Sequence, residues 1–410
     1  MIAQELKEEV YNCIKCGLCL TPCPVYKQLC FEAAAPRGKV QLIKKIIEGK
    51  LEPSATFHQL LFTCLLCETC TVNCPSGLKV DRLMKAMRAE IFEQFGLPWQ
   101  KRMLFTFLTG NSLLPFLMFF GRALGNPFLD LLPKGGKVGT IPFGKLPRLN
   151  RKALRDQYPE VLSSPGSKHR VLYFTGCATH HLFEKVGQGV VNVLQRLGVE
   201  VIIPKEQVCC GLPIFLAGAR KMALGNIRKN LDLFNRDNIE AVIVDCATCG
   251  AALKKEYVHI LEEMGEDARE AKALGGKVLD ISQYLARFDL AKILKLKPLR
   301  GRVTYHDPCH LVRSQGVRQE PRILLKGIPG LEFVEMAGAD VCCGGGGTFQ
   351  WEHPDVASGI TRDKVKSIRD TGADIVASGC PGCRLQIYGN LQKKEIRVVH
   401  PVELLAEALQ

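Results

Sequence analysis

The stretch CIKCGLCLTPCP, residues 13–24, decides how this chain is read, and CLLCETCTVNCP, residues 64–75, repeats it. Each carries C-x2-C-x2-C-x3-C followed by proline, the spacing with which bacterial ferredoxins hold iron–sulfur clusters. The reason is geometric: three cysteines two residues apart wrap a short loop around three corners of a cubane. Where two such runs occur together, the fourth cysteine of each serves the other cluster. The expected ligand sets are Cys13, Cys16, Cys19 and Cys74 for cluster 1, and Cys64, Cys67, Cys70 and Cys23 for cluster 2. Zinc would explain one run, but two complete runs favour iron and sulfide.

Working outward, about 40 residues separate Cys23 from Cys64, too many for a small βαββαβ ferredoxin. They include GKVQLIKKIIEGK, whose Val40, Leu42, Ile43, Ile46 and Ile47 predict an amphipathic helix ended at Gly49. VDRLMKAMRAEIFEQF, after Pro75, has helical period too. Residues 1–96 therefore read as an α-helical ferredoxin module for two [4Fe-4S] cubanes. Cys30, outside both runs, is expected to be a buried packing thiol.

The 410 residues suffice for two or three domains. Nineteen cysteines would suggest disulfides in a short secreted chain. The start MIAQELKEEV shows no apolar signal-peptide region, so the cysteines read as ligand sets in a reducing, cytoplasmic compartment. The formal charge of +14 counts every cysteine as neutral. Clusters would lower it, leaving a basic excess suited to an acidic partner or an anionic membrane surface. Scattered basic residues with few interleaved aromatics argue against nucleic acid.

Residues 97–168 form an apolar connector. Met103 to Phe120, MLFTFLTGNSLLPFLMFF, is interrupted by Thr106, Thr109, Gly110, Asn111, Ser112 and Pro115, which excludes a transmembrane helix. Packing against the protein's own core or a partner subunit is expected. Lys101, Arg102 and Arg122 offer a peripheral membrane contact as the other reading. The Gly/Pro-rich tract to Pro147 reads as linker.

From residue 169 the chain repeats itself. One unit, 169–295, has Cys177, then Cys209-Cys210-Gly211, then Cys246-x2-Cys249. The other, 296–410, has Cys309, then Cys342-Cys343-Gly344, then Cys380-x2-Cys383. VLYF, VEVII and AVIVD precede the first three groups as expected strands, and VTYH, LEFVE and DIVAS precede the second three. Helical segments KVGQGVVNVLQRL and ARKMALGNIRKNLDLF lie between, giving Rossmann-like α/β units with parallel sheets. Cysteines at the carboxyl ends of neighbouring strands converge where open sheets bind ligands.

Adjacent cysteines in a strand point to opposite faces, so each Cys-Cys pair must lie at a turn, for which the following glycine supplies a positive φ. Five thiolates exceed what tetrahedral zinc or a cubane uses. An unusual iron–sulfur centre follows, with zinc plus a spare cysteine as the alternative. Gly344 to Gly347 lack the spacing of a dinucleotide fingerprint and read as backbone slack. His306, Asp307 and His310 around Cys309, and His180 and His181 after Cys177, read as hydrogen-bond neighbours rather than ligands, with protonation during disulfide chemistry as the alternative task.

Together these motifs resemble the iron–sulfur subunit of glycolate oxidase. Its relatives are the lactate-utilisation, anaerobic glycerol-3-phosphate dehydrogenase and heterodisulfide reductase subunits with the CCG cysteine-rich domain. The resemblance runs nearly end to end, through both CP runs, Pro36-Arg37-Gly38-Lys39, both CCG repeats and the terminal VVHPVELLAEAL. It implies an electron-transfer subunit of a flavin-dependent 2-hydroxyacid dehydrogenase, with FAD on a partner subunit and a further electron-transfer subunit or acceptor downstream. Glycolate oxidase subunits often lack part of the C-x2-C pair, whereas both pairs are complete here. Complete sets resemble the heterodisulfide reductase type, in which five cysteines hold a noncubane [4Fe-4S] centre. By position, Cys177, Cys209, Cys210, Cys246 and Cys249 would hold one such centre, and Cys309, Cys342, Cys343, Cys380 and Cys383 another, giving one or two noncubane clusters. A thiol–disulfide reductase is the alternative function. The resemblance places the protein in the cytoplasm, with peripheral contact at the inner membrane face as an option.

Overall fold

The computed structural model describes residues 4–109, 131–132, 136–138, 141–142, 149–150, 152–235, 238–391 and 396–409. Its N-terminal part is helical. Pro36 opens α1 (Pro36–Ile47), which buries Val40 and Ile43 and stops short of Gly49, whose φ is +67°. A Cβ on Gly38 would lie 2.0 Å from the Glu32 carbonyl oxygen, so only glycine lets α1 sit on the preceding turn. α2 (Val80–Phe95) presents Val80, Leu83, Met84, Met87 and Ile91 at helical spacing to the same small core. Cys30 departs from expectation. It ends a short helix with φ +54°, and its thiol is exposed, pointing at the Lys27 carbonyl instead of the core.

α3 (Trp99–Leu108) covers the start of the apolar connector; Phe105 enters the core of the first sheet, whereas Trp99 and Met103 are exposed. The rest of that expectation, residues 110–120, lies outside the described residues, as does most of the Gly/Pro-rich tract. Among the described residues no helix is long and apolar enough to cross a membrane.

The first α/β unit has β1 (Val161–Leu162), β2 (Arg170–Phe174), α4 (Glu184–Arg196), β3 (Glu200–Ile202), α5 (Arg220–Phe234), β4 (Ala241–Val244), α6 (Ala247–Ala251) and β5 (Val278–Asp280). Its strand order is β1-β3-β2-β4-β5, parallel except for the edge strand β1. The second has β6 (Gly301–Tyr305), β7 (Leu331–Phe333), α7 (Pro354–Asp370), β8 (Ile375–Ala377), α8 (Pro381–Asn390), β9 (Arg397–Val399) and α9 (Pro401–Ala408). Its order β9-β8-β6-β7 is wholly parallel and repeats β5-β4-β2-β3. The expected α-helical ferredoxin module and two repeated parallel sheets are therefore present. The sequence reading did not include β5 and β9, since strands were expected only ahead of a cysteine group and these two follow the last group of each repeat.

Burial on both faces explains the continuous apolar strands. In β2, Leu172 and Phe174 face one core, while Val171 and Tyr173 face the other. The second core continues through Val303, Tyr305, Ile375 and Leu405 of the second unit, so the repeats share one interior. α9 closes this joint against α4, and a Cβ at Gly189 would lie 3.2 Å from the Val402 carbonyl oxygen.

The helical module is locked onto both repeats. Lys85 Nζ lies 3.0 Å from Asp81 Oδ2, 2.9 Å from Glu256 Oε1 in the first repeat and 4.0 Å from Glu68 Oε1. Ser314 of the second repeat donates to Glu68 at 2.8 Å. All four charged side chains of this network are buried. Removing Lys85 would strand three buried carboxylates. Lys85→Ala is expected to destabilise the chain by about 3–5 kcal/mol, seen as a lower calorimetric Tm; an unchanged Tm would contradict the network's role.

Candidate iron-sulfur centres

The backbone of the two CP runs is shaped alike. Lys15 and Leu66, the residues before the second cysteine of each run, have φ of +58° and +51°. Gly17 and Glu68, the residues after it, have φ of +83° and +61°. Left-handed backbone at Lys15, Leu66 and Glu68 costs about 1–3 kcal/mol each and persists only where something over-determines it. A loop wrapped around a rigid inorganic core supplies that constraint.

Cys13, Cys16, Cys19 and Cys74 line one small cavity of about 30 Å³, with Arg37 on its wall. Cys23, Cys64, Cys67 and Cys70 line another of about 30 Å³, with Lys39. The fourth cysteine of each run therefore lies with the first three of the other. Around the second cavity, Lys39 is 2% exposed and faces Cys64 and Cys23. Arg88 donates to the carbonyls of Cys64 at 2.6 Å and Leu216 at 3.0 Å. Sequence reasoning named Lys39 only within the Pro36-Arg37-Gly38-Lys39 element and gave neither cation a role, since each sits in a helix where a basic residue reads as solvent-facing.

The ten cysteines of the two repeats line a single cavity of about 360 Å³, which also touches Cys64. Cys177 Sγ lies 3.9 Å from Cys209 Sγ. Neighbouring thiols then follow from Cys209 to Cys210, Cys249 and Cys246, and cross to Cys380 of the second repeat. The line continues through Cys383, Cys343 and Cys342 to Cys309. At its end Cys342 and Cys67 share an apolar contact with Val25, Leu65 and Phe349, against which Cys309 packs. The sequence assigned the two sets to two centres and did not relate them in space; the structure turns both toward one cavity.

Local structure explains the placement. Gly211 and Gly344 adopt φ of +77° and +84°, turning each Cys-Cys pair inward. A Cβ at Gly344 would meet the Ala357 carbonyl oxygen at 2.8 Å. Cys246 and Cys380 are the N-caps of α6 and α8, so both C-x2-C pairs sit at helix starts. Gly346 is not slack: a Cβ there would lie 2.5 Å from Leu65 Cδ2, so the glycine run is where the second repeat closes on the loop around cluster 2.

Of the flanking polar residues, Asp307 is held by Arg322 through two contacts of 2.9 Å, and His180 Nδ1 accepts the Arg155 amide. His310 Nδ1 lies 3.3 Å from Thr248 Oγ1. His306 is different. One of its ring nitrogens and the sulfurs of Cys343 and Cys383 lie within 4.8 Å of one another.

These residues fit iron–sulfur clusters on chemical grounds. Burial pushes the Cys67 thiol up to about 12 and raises Cys70 well above its ordinary range. The neighbouring thiols of Cys343 and Cys380, with burial, do the same to Cys383. Cys210, Cys342 and Cys380 are pushed the other way, well below their ordinary range, by the neighbouring thiols that donate to them. Raised and lowered sulfurs are therefore interspersed along the line, and the whole set becomes thiolate only when cations sit among the sulfurs.

Residues 9–78 match the 4Fe-4S dicluster domain, and residues 171–254 and 303–388 each match the CCG cysteine-rich domain. The chain is 30% identical over 99% of its length to the probable glycolate oxidase iron-sulfur subunit of Bacillus subtilis, covering 97% of that protein. It is 27% identical over 97% of its length to the glycolate oxidase iron-sulfur subunit of Escherichia coli, covering 94% of it. A dihydromethanophenazine:CoB–CoM heterodisulfide reductase subunit of Methanosarcina barkeri is 28% identical over 98% of the chain, which covers 94% of that protein.

The crossed sets make a selective prediction. Cys74→Ala, although in the second run, should abolish the paramagnetic signal of cluster 1 and spare that of cluster 2. Cys70→Ala should do the reverse. Loss of the cluster 2 signal in Cys74→Ala would contradict the crossover.

Proposed function

Because the chain belongs to the CCG-domain iron–sulfur subunit family that includes the glycolate oxidase subunits, we propose that it is the electron-transfer subunit of a flavin-dependent 2-hydroxyacid dehydrogenase of the glycolate or lactate type. Cys13, Cys16, Cys19 and Cys74, and Cys64, Cys67, Cys70 and Cys23, would hold two [4Fe-4S] cubanes. The two five-cysteine sets would hold noncubane [4Fe-4S] clusters. Once bound, such clusters supply one-electron carriers whose potentials follow their hydrogen bonds, charge and exposure.

One observation supports the reading: the cavities lined by the cysteine sets adjoin one another in series. The series starts at Cys16, exposed on the surface beside Ile14 and Leu18. It passes the second CP set, crosses at Cys67 and Cys342, and ends in the cavity shared by the repeats. The protein's residues position these sets, bury most of the inner cysteines and place buried cations beside them. Hydride removal from a 2-hydroxy acid requires an organic cofactor. That task is assigned to an FAD-bearing partner, and the exposed rim at Ile14 and Leu18 suits its docking. A further subunit or acceptor protein would take the electrons onward. All nineteen cysteines are free thiols, which supports a reducing, cytoplasmic setting.

The shared cavity favours a second reading, in which a disulfide enters between the two five-cysteine sets and is reduced there. The two are separable. Anaerobic purification from the source cell is expected to recover an FAD protein, and glycolate or lactate should then reduce the clusters only with that partner present. Oxidation of either acid by the chain alone would contradict the division of labour. Disulfide cleavage by the reduced chain, lost in Cys383→Ala, would favour the second reading.

A further inference from the structure

The two repeats can be aligned by their own contacts. Tyr173 pairs with Ile243 and Tyr305 with Ala377, and each partner lies three residues before the C-x2-C pair of its repeat. Tyr173 thus corresponds to Tyr305, and Phe174 to His306. A Cβ on Gly211 would meet Ala223 O and Asn226 Cβ, and one on Gly344 would meet Ala357 O and Ile360 Cβ. This aligns α5 with α7 and sets Asn230 opposite Lys364.

At both positions the repeats differ in the same electrostatic sense. Phe174 is an apolar side chain whose ring centroid lies 5.3 Å from that of Phe234, the two rings tilted by 58°. His306 is buried, and both of its ring nitrogens lack a hydrogen-bond partner within the protein. An imidazole placed so is costly unless something in the site receives its N–H. The groups it approaches are Cys343 and Cys383. Asn230 is neutral and fully used: its Nδ2 donates to Cys209 O at 3.2 Å and Tyr257 Oη at 3.1 Å, and its Oδ1 accepts the Val208 amide at 3.1 Å. Lys364 is a buried ammonium, 2% exposed, held by the carbonyls of Gly338 at 2.7 Å and Ala339 at 3.2 Å. It faces Cys343, Cys342 and Cys383, while Asp340 is engaged by Arg318 at 3.1 Å. Near the first set the comparable cation is Arg155, which faces Cys177 alone among the five and gives its Nη1 to the carbonyls of Lys205 and Gln207.

We propose that the two five-cysteine centres are unequal, and that His306 and Lys364 make the second the stronger electron acceptor of the pair. The inference rests on the reading that both sets hold iron–sulfur clusters. Reduction adds one negative charge to a centre, and a buried ammonium and an N–H donor both favour the more negative state. The second set also abuts Cys67 of cluster 2. With both sets filled, an electron leaving cluster 2 would settle in the second centre in preference to the first: cluster 2 would be oxidised by one and the second centre reduced by one, with no bond made and no proton required. His306 and Lys364 are positioning residues, acting on a potential and not on a substrate.

The test is an EPR-monitored potentiometric titration of the purified full chain, with the second centre identified by the signal missing in Cys383→Ser. Its midpoint is expected above that of the first centre. His306→Phe and Lys364→Asn, which install the first repeat's residues, should each lower only that midpoint. The reduced-to-oxidised ratio at fixed potential should fall about tenfold, about 59 mV for a one-electron couple. His306→Gln, which keeps an N–H donor, should restore most of the loss, and the reciprocal Phe174→His should raise the first midpoint. The reciprocal variant keeps the test decisive if Lys364→Asn fails to fold. A first centre with the higher midpoint, or a second midpoint unmoved in His306→Phe, overturns the inference while leaving the electron-transfer reading intact. Zinc in place of iron and acid-labile sulfide in the five-cysteine sets overturns both, and metal analysis detects it before any titration.

Discussion

Packing many ionisable sulfurs together in buried positions is the constraint on which the rest of this structure depends. Eighteen of the nineteen cysteines fall into four sets, and those of the inner sets are mostly buried. Thiolates in such surroundings repel one another and lose hydration, and only metal cations among them make the arrangement tenable. The scaffold is organised to that end. Left-handed turns at Lys15, Leu66, Gly211 and Gly344 aim the sulfurs inward, helix starts at Cys246 and Cys380 add favourable dipoles, and Lys39, Arg88 and Lys364 bring positive charge inside.

The same constraint accounts for how tightly the parts are joined. Electron carriers held by separate units would drift apart if those units moved. Here the repeats share one core through Val171, Tyr173, Val303 and Tyr305. The helical module is fastened to both by the Lys85 network and by Arg313, which donates to the Cys67 carbonyl at 3.3 Å. Gly346 lets Leu65 approach closely at the point where the second CP set meets the second repeat. These contacts are structural, but their effect is to fix the spacing between ligand sets.

Much of this was legible in the sequence because cysteine spacing is a geometric statement. The C-x2-C-x2-C-x3-C runs already implied crossed ligand sets, and α2 followed directly from the period of Val80, Leu83, Met84 and Met87. The repeat of Cys, CCG and C-x2-C revealed two like units and their strands. Other features have no one-dimensional trace. Nothing in the spacing says that ten cysteines of two repeats turn toward one cavity, because that depends on how the sheets share a core. Lys364, in the polar-looking segment DKVKSIRD, reads as a solvent-facing lysine, yet α7 turns it inward. Cys30 was misread for the converse reason: its thiol has no signature of its own, and chain reversal after a six-residue helix leaves it at the surface.

The account stands on continuity between the CP sets and the CCG sets, which the placement of Cys67 and Cys342 in one buried cluster provides. The most direct measurement is the EPR spectrum of the fully reduced chain beside that of Cys383→Ser, in which the second five-cysteine set is incomplete. Continuity predicts that cluster 2 shows magnetic coupling to the second five-cysteine centre in the wild-type chain, and that this coupling is lost in the variant while that to cluster 1 remains. An identical cluster 2 signal in both proteins would contradict it.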